Sequence, residues 1–314
     1  MSKRILIFGA TGKQGGAVAR ELLSAFGGSA TLYAVTRNST SPAAQKLEQQ
    51  GVNLVIGDME DARPESTLKA AIADAKPTHV FLMSNEKVGT FSKGSFCTQE
   101  LAAANRMLDF LEACGTVQYI AMSSVAGCHQ GARYSMPNFK VKEDIEAALK
   151  SRGMKWTVLR LVTLMDNFVD KELGGLTRTS VTGLANNSAM EMWYVSCRDL
   201  GVAVATCFAK SSDTSCEYHG KTINLASQKL SGAEICSAYA KVIGAEAKVK
   251  YTPVMGPCLM SMGFIMPDFV AMHRYWEKVG YPIEAPDQED FKELVPEPWT
   301  IEDYFRSLGD RIPM

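Results

Sequence analysis

The chain has 314 residues, and its 33 Lys and Arg against 34 Asp and Glu leave a formal net charge of −1 at pH 7. A charge so close to zero gives no chain-wide basic surface and no acidic tail, so we expect no nucleic-acid partner. The composition, 46% hydrophobic and 21% charged, excludes disordered, collagen-like and membrane-protein classes. The length leaves room for one or two globular domains with a sizeable core.

The N-terminal apolar run, Ile5–Phe8, ends at Gly9 and is too short for a signal peptide or a membrane helix. The longest later apolar stretch, near residues 200–209, is about half as long as a membrane span requires. The eight cysteines include no Cys-x-x-Cys pair and the four histidines are isolated, so we expect neither a disulfide framework nor a metal site. We therefore expect a cytoplasmic location without a membrane partner.

The first half alternates short apolar runs with segments of helical periodicity. Continuous apolar runs are typical of strands buried on both faces of a parallel sheet, and repeated strand–helix units imply right-handed crossovers. The pattern predicts an α/β fold with a doubly wound parallel sheet. Strands are predicted over Arg4–Phe8, Leu32–Thr36, Val52–Ile56, His79–Met83, Tyr119–Met122 and Trp156–Val162, and helices over Gly16–Ser24, Pro42–Gln50, Pro64–Ala75, Gln99–Ala113 and Phe139–Ser151.

The second half has a different, mixed pattern. It predicts a helix over Ser231–Ile243 that begins at a serine cap, and a stretch at Met255–Met272 holds five methionines. We expect a dinucleotide-binding domain over residues 1–160 and a smaller α+β region for substrate or partner over residues 161–314, packed on the first and able to add strands to its sheet. Further predicted elements are strands at Met192–Val195 and Thr222–Leu225 and a helix at Thr300–Ser307.

A glycine-rich loop connects the first predicted strand with the first helix. Gly9 allows a tight turn, Gly12 lets the backbone approach a pyrophosphate, and Gly15 permits close helix–strand packing. The helix that begins there directs free N–H groups and the positive end of its dipole at phosphate. With repeated strand–helix units behind it, the loop predicts dinucleotide binding, and a purely structural turn is the alternative. The other candidate contacts in the loop are Thr11, Lys13 and Gln14.

The end of the second predicted strand indicates which dinucleotide is bound. NAD sites place a carboxylate there for the ribose 2′-hydroxyl, whereas this chain has Arg37. A guanidinium binds a 2′-phosphate through paired hydrogen bonds, and Lys13 adds a second positive charge. The cofactor prediction is therefore NADP(H). The alternative is that Arg37 is an ordinary solvated cation.

Residues after the third and fourth predicted strands complete the candidate cofactor contacts. Asp58 is placed either to accept a hydrogen bond from the adenine amine or to cap the turn that follows it. Met83 and Asn85 follow the fourth strand, and the carboxyl ends of strands in such sheets line the ligand crevice. We expect both residues to pass near the nicotinamide.

Several further motifs are spread along the chain. They are Thr36-Arg37, Gly57-Asp58, the helix with Lys142, Leu159-Arg160, Asn167-Phe168, Ser196–Gly201 (SCRDLG) and Trp276–Tyr281 (WEKVGY). Together with the glycine loop they resemble the NmrA-like branch of the atypical short-chain dehydrogenases/reductases. The resemblance implies an NADP-binding Rossmann domain with a smaller, variable C-terminal part. It also implies one of two activities, since that branch holds NADPH-dependent reductases and regulators that bind dinucleotide and contact protein partners.

Members of the wider superfamily that this chain resembles carry a catalytic Tyr and Lys four residues apart on one helix. The matching lysine is Lys142, and Asn138 stands where the tyrosine would be. An amide cannot donate a phenol-like proton, so the usual chemistry is absent at that position. Lys142 is therefore expected to orient the nicotinamide ribose, to supply or position the proton source, or to be a surface lysine.

Two other residues are candidates for the missing proton donor. Tyr134 precedes Lys142 by two helical turns, although Pro137 is expected to mark the start of the helix and so leave Tyr134 on a loop. Ser124 follows the fifth predicted strand with Ser123, at the ligand-binding edge of the sheet. The two serines either bind substrate or close the strand end.

The second half carries apolar residues suited to a substrate wall. The methionine-rich stretch either fills core gaps or forms an adaptable surface over the nicotinamide, and Trp193 and Tyr194 are expected to line the same cleft. The leading hypothesis is an NADPH-dependent reductase of a C=O, C=N or conjugated C=C bond in an apolar small molecule. The alternatives are an NADP(H)-sensing regulator that acts through protein contacts, and a non-redox isomerase or cyclase. A homodimer or a protein partner is compatible with each.

Overall fold

The fold is described here by a computed structural model that covers residues 2–61, 67–84, 95–170, 173–211, 216–244, 248–254 and 267–311. In the described part of the chain the strands are β1 (Lys3–Ile7), β2 (Ala30–Thr36), β3 (Asn53–Ile56), β4 (His79–Leu82), β5 (Tyr119–Val125), β6 (Lys155–Leu161), β7 (Thr163–Leu164), β8 (Gly175–Thr177), β9 (Ser180–Gly183), β10 (Glu191–Val195), β11 (Thr222–Leu225), β12 (Gln228–Ser231) and β13 (Lys250–Pro253).

The α-helices of the same residues lie between and after these strands. They are α1 (Lys13–Phe26), α2 (Pro42–Gln49), α3 (Thr67–Ala75), α4 (Ser95–Cys114), α5 (Pro137–Lys150), α6 (Cys197–Ala209), α7 (Gly232–Ile243), α8 (Pro267–Lys278), α9 (Ala285–Leu294) and α10 (Ile301–Leu308). Short 3-10 turns include Cys128–Gln130 before α5 and Met165–Val169 after β7.

The central sheet confirms the predicted doubly wound Rossmann fold. Within the described residues it has seven strands in the order β11-β6-β5-β4-β1-β2-β3, and every pair in it is parallel. The chain runs from β1 outward to β3 and then returns to β4 on the other side of β1. The strand order therefore reverses between β1 and β4, and ligands of such sheets bind at that switch point beyond the carboxyl ends of the strands.

The continuous apolar run of β1 is explained by burial on both faces of the sheet. Ile5 and Ile7 belong to one hydrophobic core with residues of α1, α6 and α9, whereas Leu6 and Phe8 belong to a second core with α3, α4 and α5. Successive side chains of a strand point to opposite faces, so both sets must be apolar when helices cover both faces.

The second half is partly built into these layers. β11 extends the main sheet beside β6, and α6 packs on α1 so closely that a Cβ on Gly201 would lie 2.9 Å from the Ala17 carbonyl oxygen. Two small sheets, β12-β10-β7 and β13-β9-β8, stand outside the main one and share a third hydrophobic core with α7, α8 and α10. These small sheets confirm the expected mixed character of the C-terminal region.

Several element boundaries differ from those predicted. The first helix begins at Lys13 and not at Gly16, because Gly12 already serves as its N-cap. The fifth strand runs through Val125, so Ser123 and Ser124 lie within the strand and not after it, paired in register with β6. The predicted start of the third helix at Pro64 lies outside the described residues. In the described residues, no helix is both long and apolar enough to cross a membrane.

Candidate dinucleotide site

The glycine loop has the geometry of a phosphate cradle. Gly9 takes a left-handed conformation at φ +65° and accepts a 2.9 Å hydrogen bond from the Gly12 backbone N–H. A Cβ on Gly15 would lie 2.3 Å from the Gly9 carbonyl oxygen, so no other residue fits there without moving the loop. The Gly12 N-cap provides no side-chain acceptor, so the first-turn N–H groups of α1 are available to an anion. The loop thus fits a pyrophosphate.

Two polar side chains of the loop are engaged within the protein. The Lys13 ammonium forms an ion pair with Asp170, which follows the 3-10 turn after β7. The Gln14 side-chain oxygen accepts a 2.7 Å hydrogen bond from the Ser123 hydroxyl. Lys13 was expected to add positive charge for a phosphate, whereas here that charge is balanced by a carboxylate. Thr11, in contrast, is exposed at the tip of the loop.

The end of β2 presents Arg37 to solvent. Thr36 is buried, and its hydroxyl oxygen accepts a 3.2 Å hydrogen bond from the Asn38 backbone N–H, which closes a tight turn around Arg37. Within the described part of the chain, the Arg37 guanidinium makes no ion pair, and the side chain is exposed. An unpaired guanidinium at this position is suited to receive an anionic group.

Asp58 takes part in the turn after β3. Its Oδ1 accepts a 3.0 Å hydrogen bond from the Glu60 backbone N–H, and its carbonyl oxygen accepts one from the Asp61 N–H. The turn-capping alternative is therefore present in the structure. The residue is partly exposed, and the second carboxylate oxygen, Oδ2, has no hydrogen bond within the described residues.

Residues after β4 lie against the glycine loop. A Cβ on Gly9 would lie 2.4 Å from the Met83 sulfur, so Met83 lies directly behind the tight turn. Asn85, the other expected contact, lies outside the described residues. Ser84 is buried, and its hydroxyl oxygen accepts a hydrogen bond from Lys142 on α5.

Lys142 lies in a buried ion pair. Its ammonium donates to Glu100 Oε1 at 2.5 Å and to the Ser84 hydroxyl oxygen at 2.8 Å. The side chains of Lys142 and Glu100 are 11% and 7% exposed. The surface-lysine alternative is wrong, because the side chain points inward between α4, α5 and the end of β4.

The position of the missing tyrosine is occupied by an amide in contact with a methionine. Asn138 on α5 donates from its side-chain nitrogen to the sulfur of Met272 on α8, so one member of the methionine-rich stretch reaches this place. The rest of that stretch up to residue 266 lies outside the described residues. Pro137 is the first residue of α5, as expected. Tyr134 therefore lies before the helix, where its ring packs on the Tyr275 ring with centroids 4.9 Å apart.

A second buried charge network, which sequence reasoning missed, lies one turn further along α5. The Glu146 carboxylate is 2% exposed and accepts paired hydrogen bonds of 2.9 and 2.7 Å from the Arg160 guanidinium. It also accepts hydrogen bonds from the Ser124 hydroxyl at 2.6 Å and the Cys128 thiol at 3.2 Å. The only available signal was the spacing: Glu146 is four residues after Lys142 and so shares its helix face.

Burial and charge set the protonation of this network. Burial acts to raise the pKa of the Glu146 carboxyl, but the hydrogen bonds and positive charge of Arg160 outweigh it and hold that pKa below its usual range. Burial, with the Glu146 charge beside it, raises the pKa of the Cys128 thiol to about 12. The Ser124 hydroxyl thus donates to an ionised carboxylate, and the thiol stays protonated at neutral pH.

A cleft of about 720 Å³ opens in the second half, between the β10 region and the end of α8. The hydroxyl of Tyr281, one of its lining residues, lies 3.2 Å from the hydroxyl of Thr163, the first residue of β7. Trp193 lines this cleft, whereas Tyr194 points to the opposite side of β10 and stacks on Phe168. The lining is mixed: its aromatic and aliphatic residues include Met190, Met192, Trp193, Trp276, Tyr281 and Ile283, and its polar and charged residues are Asn187, Glu191, Lys229, Glu277 and Lys278.

The fold and the loop together define a doubly wound α/β protein with a site shaped for a phosphate-bearing dinucleotide. Among the described residues, no group of three or more His, Cys, Asp or Glu side chains could hold a metal ion. The chain belongs to the NmrA-like family, whose family model matches residues 1–305. The resemblance drawn from the sequence motifs is thereby confirmed.

Curated relatives with similar sequences carry the same family name. The chain is 29% identical over 175 residues to the NmrA-like family domain-containing oxidoreductase lnaB of Aspergillus flavus, covering 54% of this chain and 50% of the relative. It is 25% identical over 269 residues to the oxidoreductase ptmS of Penicillium ochrochloron, covering 81% and 76%. The match spans about half the length of lnaB and, at 46%, of the NmrA-like family domain-containing protein of Dictyostelium discoideum.

Solved structures share the fold over nearly the whole chain. The Citrobacter sp. triphenylmethane reductase complexed with NADP(H) superposes with a TM-score of 0.71 at 19% identity, covering 96% of this chain and 99% of that one. NmrA, a negative transcriptional regulator in complex with NAD, gives 0.74 at 16% identity, covering 98% and 96%. At these identities the likeness establishes the fold alone, and it includes both a reductase and a regulator.

Proposed function

We propose that this chain is an NADP(H)-dependent oxidoreductase that reduces a C=O, C=N or conjugated C=C bond of an apolar small molecule. The observation that carries the proposal is the buried Lys142 ammonium beside the switch point of the sheet. It contacts Ser84, whose neighbour Met83 lies against Gly9 of the phosphate loop. A positive charge is thus buried next to the place where doubly wound folds bind their ligands.

The cofactor assignment uses three separate parts of the site. The α1 N-terminus with Gly12 would hold the pyrophosphate, Arg37 the 2′-phosphate, and Lys142 the hydroxyls of the nicotinamide ribose. Solved structures of the same fold contain NADP(H) in the triphenylmethane reductase and NAD in NmrA, and two curated relatives are named oxidoreductases, which supports a nicotinamide dinucleotide. When bound, such a cofactor supplies a hydride.

The proton for the reduced product comes, in this proposal, from Lys142 or from water that it orders. Asn138 cannot supply it, and the Ser124 hydroxyl is donated to Glu146. Tyr134 packs its ring on Tyr275 before the helix begins. Tyr134→Phe is therefore expected to keep kcat within about twofold of the wild type, whereas Lys142→Met lowers it by about 10²-fold or more, the usual contribution of a proton donor.

The substrate class follows from the cleft of the second half. Its lining combines aromatic and methionine side chains with the charged Glu191, Lys229 and Glu277, which suits a molecule that has both an apolar body and a polar group. Tyr281, one of its lining residues, lies within hydrogen-bond distance of Thr163, which follows β6. We place the apolar part of the substrate there, with its reducible bond directed toward the switch point. Trp193→Ala is expected to raise KM more than it lowers kcat, because it removes contact area and leaves Lys142 in place.

The direct test is consumption of NADPH in the presence of aromatic ketones, imines and enones, followed by NADPH absorbance. Turnover with one class, lost in Lys142→Met and retained in Lys140→Ala, supports the proposal. Lys140 is the matched control, because it is on the same helix but pairs with Asp144 at the surface. Binding of NADPH without substrate-dependent oxidation across the whole panel contradicts a reductase.

A second candidate function is favoured by Asn138 in place of the proton-donating tyrosine. An NADP(H)-sensing protein needs a binding site that distinguishes redox states but needs no proton donor, and the fold is shared with the regulator NmrA. Calorimetry with NADP⁺, NADPH and NAD⁺, together with light scattering of each complex, tests this function. Equal affinities and an unchanged oligomeric state for all three contradict it.

A further inference from the structure

Lys142 is fixed by two partners that come from different elements of the fold. Glu100 lies on α4, 42 residues before Lys142 in the chain, and Ser84 follows β4. The two hydrogen bonds, 2.5 and 2.8 Å long, therefore join α5 to its neighbouring helix and to the edge of the sheet. Both charged side chains are nearly buried. A flexible lysine side chain is thereby confined to one position.

The number of donors on an ammonium makes this arrangement directional. A lysine ammonium has three N–H donors, and within the described residues two of them are directed to Glu100 and Ser84. The third then has a defined direction in the protein, because the other two are fixed. A lysine held in this way loses little conformational freedom when it binds a ligand hydroxyl.

The other lysines of α5 show that this pairing is specific. Lys140 bonds to Asp144 and Lys150 to Glu146, so each pairs with a residue of its own helix, and both ammonium-bearing side chains are about a third or more exposed. Lys142 alone among these three is paired across a helix–helix interface and buried. Without Glu100 its charge would lie in a poorly solvated place with only one neutral partner.

We propose that Glu100 is a positioning residue that directs the Lys142 ammonium toward the nicotinamide-ribose hydroxyls of the bound dinucleotide. Ser84 assists it as the second, uncharged hydrogen-bond acceptor of that ammonium. The proposal rests on the cofactor assignment made under the proposed function. Glu100 acts only through Lys142 in it and touches no reacting atom. Its effect should therefore vanish when Lys142 is removed, and should be confined to the nicotinamide half of the ligand.

A double-mutant cycle tests this with binding as the readout. Glu100→Gln, Lys142→Met and the double variant are titrated by calorimetry with NADPH and with 2′,5′-ADP, which contains the adenosine half alone. Glu100→Gln is expected to weaken NADPH binding by about tenfold in the wild-type background and by less than about twofold beside Lys142→Met. Binding of 2′,5′-ADP should stay within about twofold in all variants.

An equal loss of NADPH affinity in both backgrounds, or an equal loss for 2′,5′-ADP, would overturn the proposal. Either would mean that Glu100 supports the fold generally. If Glu100→Gln does not fold, Glu100→Asp replaces it, since aspartate keeps the charge but withdraws it by one methylene. Ser84→Ala should then show a smaller loss of the same kind. A chain that binds no dinucleotide refutes the cofactor assignment itself, whereas normal NADPH binding by Glu100→Gln refutes only this role.

Discussion

The two ends of the candidate dinucleotide site are built on different physical principles. Around β1 and β2 the site is shaped by backbone: Gly9 and Gly15 make room, and Arg37 stands exposed in solvent. Around β4, β5 and α5 it is shaped by buried charges, with Lys142 and Glu146 each paired within the protein. The first end thus presents an open backbone cradle and a cation that has no ion-pair partner among the described residues, whereas the second presents side chains whose positions are already fixed.

This difference predicts opposite responses to mutation. Changes at the exposed end should alter ligand affinity and leave stability nearly unchanged, because no buried partner loses a contact. Changes at the buried end should lower stability, since removing one member of a buried pair leaves the other charge without compensation. The glycines of the loop are an exception: a substitution there should also lower stability, because a Cβ atom would clash with neighbouring atoms.

The largest effect is expected at Glu146. Glu146→Ala leaves the partly buried Arg160 guanidinium without its carboxylate and removes the acceptor of Ser124 and Cys128, which should cost about 3 kcal/mol of unfolding free energy. Urea denaturation measures this. Glu143→Ala is the matched control on the same helix, because its partner Lys140 is 3.5 Å away at the surface, and it should cost no more than about 1 kcal/mol. Equal losses would contradict the contrast between buried and exposed charge.

The pH dependence of stability should change with the same residue. The pKa of Glu146 is lowered on folding from its usual 4.5, so its contribution is present above about that pH and is lost as the pH falls through the folded value. The wild type should therefore lose stability on acidification below pH 4.5 more steeply than Glu146→Gln. Urea midpoints between neutral and acidic pH test this, and parallel curves would show that Glu146 is not ionised by its pairing.

The next largest effect is expected at Gly15. A Cβ there would lie 2.3 Å from the Gly9 carbonyl oxygen and 2.7 Å from the Ala10 nitrogen, both backbone atoms that cannot move aside alone. Gly15→Ala should lower stability by about 1–3 kcal/mol and weaken dinucleotide binding further, because the cradle itself shifts. Gly153→Ala, where a Cβ meets nothing within 4 Å, is the control and should change neither.

At the exposed end, Arg37→Ala should change the affinity for the dinucleotide without changing the stability of the fold. If Arg37 binds the 2′-phosphate, NADP(H) should lose about 1–3 kcal/mol of binding free energy, while NAD(H) binding and the urea midpoint stay unchanged. Calorimetry with both dinucleotides checks this. A loss of the same size for NAD(H) would show that the guanidinium does not read the 2′-phosphate.

The same contrast explains what could be predicted from sequence. The sheet, its parallel strands and the glycine loop follow from local patterns: an apolar run, a glycine at a fixed spacing, a proline at the start of α5. Helix α9 could not be predicted from its sequence, because this acidic, proline-containing segment has a weak apolar pattern. Its packing on α6 and β11 stabilises it instead.

The buried end could not be predicted in the same way, because its pairs are distant in sequence. Nothing local connects Lys142 to Glu100 or Glu146 to Arg160, because each pair joins α5 to another element: Glu100 lies on α4 and Arg160 on β6. The wrong placement of Ser124 after the fifth strand has the same origin. The strand continues for three residues beyond its predicted end at Met122, and the hydrogen-bond acceptor of Ser124, Glu146, belongs to another element. Side chains whose role depends on one distant partner are the ones that sequence reasoning misses.

The smallest effect on stability and affinity is expected at the ion pair between Lys13 of the glycine loop and Asp170 of the second half. Lys13 pairs with Asp170, and both side chains are partly exposed, so Asp170→Asn should change stability by less than about 1 kcal/mol. Asparagine keeps the Oδ1 acceptor that the Leu173 N–H uses, so the local turn is retained. If Lys13 assists phosphate binding, losing its carboxylate partner should raise NADPH affinity by about twofold at low salt, and the gain should shrink as salt screens the charges. A lower affinity in Asp170→Asn would instead mean that the ion pair helps to shape the loop, and the exposed end would then resemble the buried one.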